Sequence, residues 1–210
     1  MAANATILED NSLLSRLDRM FVKFEKLLTT LGGITILLVV FLAVTNILGR
    51  WLFSAPVDGY IDWVVSSMPF IAFLGLSYTQ REGGHIRMDI VVGSLRKRVL
   101  WFTEFLTVLI MLFMTAMLGI GSYNHFLRAY KIGDTSFDID LLVWPTKLVI
   151  VFMFAVLFCR LLLQLWGYFR ALVEGGDKPV AVPLVEDAAT AAAREAASVE
   201  SDKIENKEGV

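Results

Sequence analysis

Four long apolar blocks, each bounded by charged residues, dominate this chain. They fall at about 27–49, 60–80, 99–123 and 141–168. A block of about 20 apolar residues matches the roughly 30 Å hydrocarbon thickness of a bilayer when it is helical. A soluble core would instead scatter its apolar residues at helix or strand spacing. The expected fold class is therefore an all-α membrane protein with four transmembrane helices. The first block is too long for the apolar region of a secretory signal, and it ends at Asn46 and Arg50 with no small-residue cleavage site. It reads as an uncleaved anchor.

The bases alternate from one inter-block segment to the next. Arg16, Arg19, Lys23 and Lys26 precede the first block, while the next connection has only Arg50. The connection between the second and third blocks carries Arg81, Arg87, Arg96, Lys97 and Arg98. The following one sets Arg128 and Lys131 beside Asp134, Asp138 and Asp140, and Arg170 and Lys178 follow the last block. Bases near helix ends concentrate on the cytoplasmic side, which predicts both termini in the cytoplasm. The bases flank apolar blocks and line no single face, so this is no nucleic-acid footprint. Arg96, Lys97 and Arg98 are expected headgroup anchors, and Trp51 and Trp144 sit where aromatic belts form.

The segments outside the blocks have characters of their own. In residues 1–26, Leu13, Leu17, Met20, Phe21 and Phe24 recur at helical spacing, with the four bases at other positions around the helix and Asn11 or Ser12 as a cap. Two readings stand: a helix lying in the interface, or an extension of the first membrane helix. Ile86, Ile90, Val91 and Leu95 suggest a second interfacial helix. The stretch 169–210 is expected to be a largely disordered acidic tail. Beyond residue 176 it holds eight acids against four bases and no aromatic residue, too little apolar surface to offset the cost of ordering. Pro145 suits the first turn of the last helix. Pro69 falls inside the second and should bend it.

Charges within the blocks are expensive and therefore informative. Asp62 and Lys147 lie at similar expected depth and are candidate partners, as are Glu104 and Arg160. A proton or ion path is one reading; structural pairs or ends that snorkel to the headgroups are the other. A relay needs an acid near mid-membrane, and the blocks have none there, which favours the structural reading. His85 and His125 fall on opposite sides of the membrane, so they cannot share a haem; His85 is expected to cap or anchor its loop. Cys159 lies alone in an apolar block and reads as a small filler. No nucleophile–base set, phosphate loop or metal-ligand cluster is present. Neither catalysis, cofactor nor metal is expected. Thr45 with Gly49, Gly75 with Thr79, and Thr115 with Gly119 have the spacing of close helix contacts, and Asn46 is placed to hydrogen-bond a neighbouring helix.

The order of these features resembles a known family. The first helix closes on Thr45-Asn46-Ile47-Leu48-Gly49-Arg50-Trp51, and Asp62 comes early in the second. The second continues through Leu74-Gly75 to Arg81, then Gly84-His85-Ile86 and Asp89. This is similar to the small permease subunit of tripartite ATP-independent periplasmic (TRAP) transporters, the DctQ-like family. Asp134 to Ser136 with Trp144-Pro145 is a weaker match, and the likeness spans about 27–166. It departs at Asp62, where the family often has Glu, and does not reach the amino-terminal segment or the tail. The resemblance implies a scaffold or stator beside a large permease subunit, in sodium-coupled uptake of organic anions delivered by a periplasmic substrate-binding protein. It implies the inner membrane of a bacterium or archaeon, and membrane lipids as further partners. Together with the reading of the intramembrane charges, it leaves Asn46, Arg50, Asp62, Gly75, Arg81, His85, Asp89 and Lys147 as candidate interface or structural residues. Two other readings compete: a scaffold or sensor subunit of another complex, and a membrane redox protein, against which the histidine placement argues.

Overall fold

The computed structural model describes residues 13–82 and 97–174. They form five helices: α1 (Leu13–Phe53), α2 (Tyr60–Phe73), α3 (Leu76–Arg81), α4 (Lys97–Ile132) and α5 (Trp144–Glu174). Among the described residues the only β pairing is an isolated bridge between Thr135 and Leu142. Four stretches are long and apolar enough to cross a membrane: Leu14–Phe53, Tyr60–Arg81, Trp101–Ile132 and Trp144–Val173. The protein is an all-α membrane protein of four spans.

α1 runs unbroken through the amphipathic stretch and the first apolar block. Its 41 residues extend about 60 Å at 1.5 Å per residue, twice the hydrocarbon thickness. The amino-terminal stretch is therefore an extension of the first span in the described residues, not a separate element. α4 and α5 also overrun the expected bounds, α4 reaching Ile132 where 123 was expected and α5 reaching Glu174 where 168 was. The connection between them is correspondingly short. The expected second interfacial helix, Arg96 and the tail beyond residue 174 lie outside the described residues, while residues 169–174 of the expected tail continue α5.

The second span is α2 and α3 together. α2 continues as helix through Pro69, and an interruption comes at Leu74–Gly75. Leu74 N–H still reaches Phe70 O at 3.2 Å and Thr79 N–H reaches Gly75 O at 2.9 Å. The two pieces thus form a single span.

α5 is the central helix, touching α1, α2, α3 and α4. Along α4 it buries Trp101, Val108, Leu157, Leu161, Tyr168 and Ala171. On its other side Met153 and Val156 pack with Leu28 of α1 and Leu74 of α2. Most other apolar side chains remain exposed, Leu37, Phe41, Phe113 and Ile120 among them. Helices apolar on nearly every face suit hydrocarbon, where no aqueous penalty attaches to that surface.

α1 approaches α2 closely at Gly32. A Cβ there would lie 3.1 Å from Leu74 Cβ, so only glycine lets the two backbones meet undisturbed. Gly32 also opens a seven-residue series. Gly32, Glu25 and Asp18 share one stripe of α1, and Leu28, Phe21 and Leu14 share the next. Five of these six are buried, Phe21 being half-buried. The seam that holds α1 to the bundle thus carries two acids.

Candidate functional site

Asp18 and Glu25 meet the bundle where α3 ends and α5 passes. Arg160 and Gln164, one turn apart on α5, project toward the same place, and both are fully buried. Arg160 Nη1 donates to Asp18 Oδ1, and Arg81 Nη2 donates to Asp18 Oδ2 at 3.2 Å. One carboxylate therefore bridges two guanidinium groups, with an oxygen for each. Arg160 Nε lies 3.8 Å from Glu25 Oε1, and Ser77 Oγ donates to that same oxygen. Gln80 Nε2 donates to Gln164 Oε1 at 2.9 Å, and Gln164 Nε2 returns a hydrogen bond to Gln80 O at 3.2 Å. Arg81 Nη1 also donates to Glu82 at the rim, 3.1 Å away.

The charges of the buried core balance: Asp18 and Glu25 against Arg81 and Arg160. An unpaired charge at this burial costs several kcal/mol, and each carboxylate here has a guanidinium within 4 Å, although Glu25 Oε2, Arg81 Nε and Arg160 Nη2 have no hydrogen-bond partner among the described residues. The arrangement ties the amino-terminal third of α1 to α3 and α5 at once. It lies toward one end of the bundle, where α1 begins and α3 finishes.

A second polar centre lies at the opposite end. Asp62, in the first turn of α2, accepts from Ser136 Oγ, from Asp138 N–H at 3.0 Å and from Ile139 N–H at 2.9 Å. All three donors belong to the turn between α4 and α5. Ser136 N–H donates to Leu141 O at 2.8 Å, and Val143 N–H to Asp134 O at 3.1 Å, closing that turn into a small hairpin. Gly59, which precedes α2, has φ +67°, and Ile139 presses against it so closely that its Cγ2 would sit 2.5 Å from a Cβ there. The α1–α2 connection is held in turn by Asn46, whose Oδ1 accepts from Val57 N–H at 2.9 Å.

The pairings differ from those expected. Asp62 does not take Lys147; it holds the backbone of the hairpin, and Lys147 Nζ pairs with Asp134 at 3.2 Å. The shorter Asp side chain sits within reach of two adjacent amides, which explains why neutralisation by a lysine is unnecessary. Arg160 turns to acids of α1, Asp18 and Glu25, which the sequence reading had not singled out. Asn46 bonds its own chain's loop and not a neighbouring helix. Arg81 is buried in the charge network, while Arg50 and Trp51 are exposed. Trp144 stacks edge-on against Tyr130, with ring centroids 5.7 Å apart. Gly75 marks the interruption of the second span. His85 and Asp89 lie outside the described residues; Lys97 and Arg98 begin α4.

Sequence reasoning missed Asp18, Glu25, Ser77, Gln80 and Gln164, and named Ser136 without its role. A signal existed: Asp18 and Glu25 stand seven apart beside the buried leucines, and Gln164 stands four after the intramembrane Arg160.

Comparison with protein families decides what these spans belong to. The family described as tripartite ATP-independent periplasmic transporters, DctQ component, matches residues 36–171. The chain belongs to the DctQ family. It is a small membrane subunit of a TRAP transporter. Comparison with curated proteins and with solved structures returned no match. Within this DctQ chain, Asp62, Arg81, Arg160 and the hairpin fall inside the matched region, whereas Asp18 and Glu25 precede it. The acids that neutralise the buried arginines thus come from the amino-terminal part of α1.

Proposed function

We propose that this DctQ subunit is the fixed scaffold of its transporter, a stator against which a large permease subunit moves its transport domain. Substrates would be organic anions, carboxylates foremost, captured by a periplasmic binding protein and carried by the large subunit at the expense of a sodium gradient. The reading places the protein in a bacterial or archaeal inner membrane with both termini cytoplasmic. The charge network then faces the cytoplasm and the Asp62 hairpin the periplasm. Asn46, Arg50, Gly75, His85, Asp89 and Lys147 serve structure or subunit contact, and Arg96 to Arg98 anchor the chain at headgroups.

The observation that supports this is the bridging of Arg81 and Arg160 by Asp18. It joins three helices at a single buried point, and the hairpin clasp joins the connections at the other end. A subunit tied at both ends deforms little, as a stator must. Long tilted helices add footing in the bilayer.

Co-expression with the large subunit tests the proposal. The two should purify as one complex in mild detergent, and sodium-driven uptake into proteoliposomes should need both along with the binding protein. A monodisperse DctQ chain that never retains the permease, or uptake that proceeds unchanged without it, contradicts the scaffold role. Reagent labelling that places the 81–98 connection outside the cell contradicts the topology.

A further inference from the structure

The amino-terminal part of α1 presents three distinct faces. Leu14, Ser15, Asp18 and Glu25 are buried toward the bundle. Arg16, Arg19, Lys23 and Lys26 are exposed along another strip. Between them runs an apolar strip, Leu17, Met20 and Phe24, which faces Cys159, Leu162 and Trp166 of α5 across an open groove of about 590 Å³. Met20 is 73% exposed and Trp166 49%. Arg16 and Lys23, seven apart, are the bases whose positions around α1 adjoin this apolar strip, on the side away from the buried seam; the groove lining itself contains neither.

We propose that the α1–α5 groove binds one phospholipid with an anionic headgroup, its acyl chain lying along Met20, Phe24 and Leu162 and its phosphate meeting Arg16 and Lys23. Two features of the groove specify this occupant. Its walls are almost wholly apolar and open to the side, as a hydrocarbon chain requires. Beside its α1 wall runs a cationic strip, which matches a molecule with an apolar tail and a negative head. The acids of α1 do not oppose that headgroup, because Asp18 and Glu25 are turned inward and neutralised by Arg81 and Arg160. A zwitterionic lipid would fill the walls equally well but would leave the basic strip without a net countercharge. The site gives the basic strip a use beyond membrane insertion and lies apart from the Asp62 hairpin.

Native mass spectrometry of the purified full-length chain, exchanged into micelles with equal amounts of phosphatidylglycerol and phosphatidylethanolamine, tests the proposal. The expected result is retention of one phosphatidylglycerol in preference to phosphatidylethanolamine. Arg16→Gln with Lys23→Gln should cut that preference by about fivefold per base, the effect of one cation beside an anionic surface. Leu162→Trp, which fills the groove, should abolish retention of either lipid while leaving the basic strip in place. Equal retention of both lipids by the unaltered chain overturns the proposal, as does undiminished retention in Leu162→Trp. Cys159, the chain's sole cysteine, supplies a check that needs no variant. In proteoliposomes containing the complex, a photoactivatable maleimide on Cys159 should cross-link to lipid. Cross-linking to the large subunit instead assigns the groove to protein and overturns the lipid site.

Discussion

Asp18 and Arg160 stand 142 residues apart in sequence, yet they form an ion pair from which solvent is excluded, with side chains 2% and 0% exposed. The pair joins the start of the first span to the last span. It also explains how an arginine is tolerated inside an apolar helix: its countercharge is imported from a segment that looks cytoplasmic in the sequence.

Removing one partner should therefore be costly. Asp18→Asn leaves Arg160 and Arg81 with one buried carboxylate between them, and a loss of about 3–5 kcal/mol is expected. Thermal unfolding in detergent, followed by retention of a monodisperse peak, would measure it. Arg160→Met added to Asp18→Asn should be less destabilising than the two losses summed, because each single change already breaks the pair. Strict additivity would show that the two residues do not interact.

Asp62→Ala should loosen the hairpin without unfolding the spans. Ser136 Oγ and the amides of Asp138 and Ile139 lose their common acceptor, a cost of about 1–3 kcal/mol. Hydrogen exchange at those two amides should speed up while exchange within α5 stays unchanged. Yield of the complex with the large subunit and uptake should both fall. Unaltered exchange and unaltered yield would remove Asp62 from any structural role.

At Gly32 the test is steric. Gly32→Ala forces Leu74 to give by a few tenths of an ångström, since the new Cβ would stand 3.1 Å from Leu74 Cβ. Gly32→Leu inserts a whole side chain between α1 and α2 and should cost about 1–3 kcal/mol. A graded loss in melting temperature from Gly to Ala to Leu is expected. Equal stability of all three would mean that the helices do not meet at this point.

Gly59 carries two separable penalties. Gly59→Ala forces a side chain into the left-handed region, about 1–2 kcal/mol, and also drives a Cβ into Ile139. Combining it with Ile139→Ala relieves the collision but not the backbone strain. The double variant should therefore regain part of the lost stability and never all of it. Full recovery would show that φ at Gly59 is not constrained.

The spans were legible because hydropathy is a local property. About 20 apolar residues in a row meet the length requirement wherever their neighbours lie, and Lys26, Arg50 and Arg98 mark their ends without reference to the fold. The family was legible for a similar reason, since Leu74-Gly75, Arg81 and the residues after it form a contiguous pattern. The charge pairs were not. Asp62 and Lys147 share an expected depth, but depth fixes only one coordinate of a side chain. The rotation of α2 aims Asp62 at the hairpin amides, and Asp134 lies nearer to Lys147 than any residue of α2 that bears a charge.

The same distinction governs Pro69 and the amino-terminal stretch. Proline's missing N–H predicts a bend at Pro69; α2 stays helical through that residue, and an interruption falls at Leu74–Gly75, where Gly32 of α1 packs against Leu74. The basic and apolar residues of 13–26 announce an amphipathic helix. Only Asp18 and Glu25, seen against Arg81 and Arg160, show that its third face is buried.

By itself, then, the sequence determined the class, the number of spans and the family, because each depends on length, polarity and order along the chain. Only the tertiary structure decided which charges neutralise one another and which polar groups hold the connections. Those choices depend on the tilt and rotation of whole helices, and a buried arginine is satisfied by whichever carboxylate the packing brings within about 3 Å, however distant in the chain.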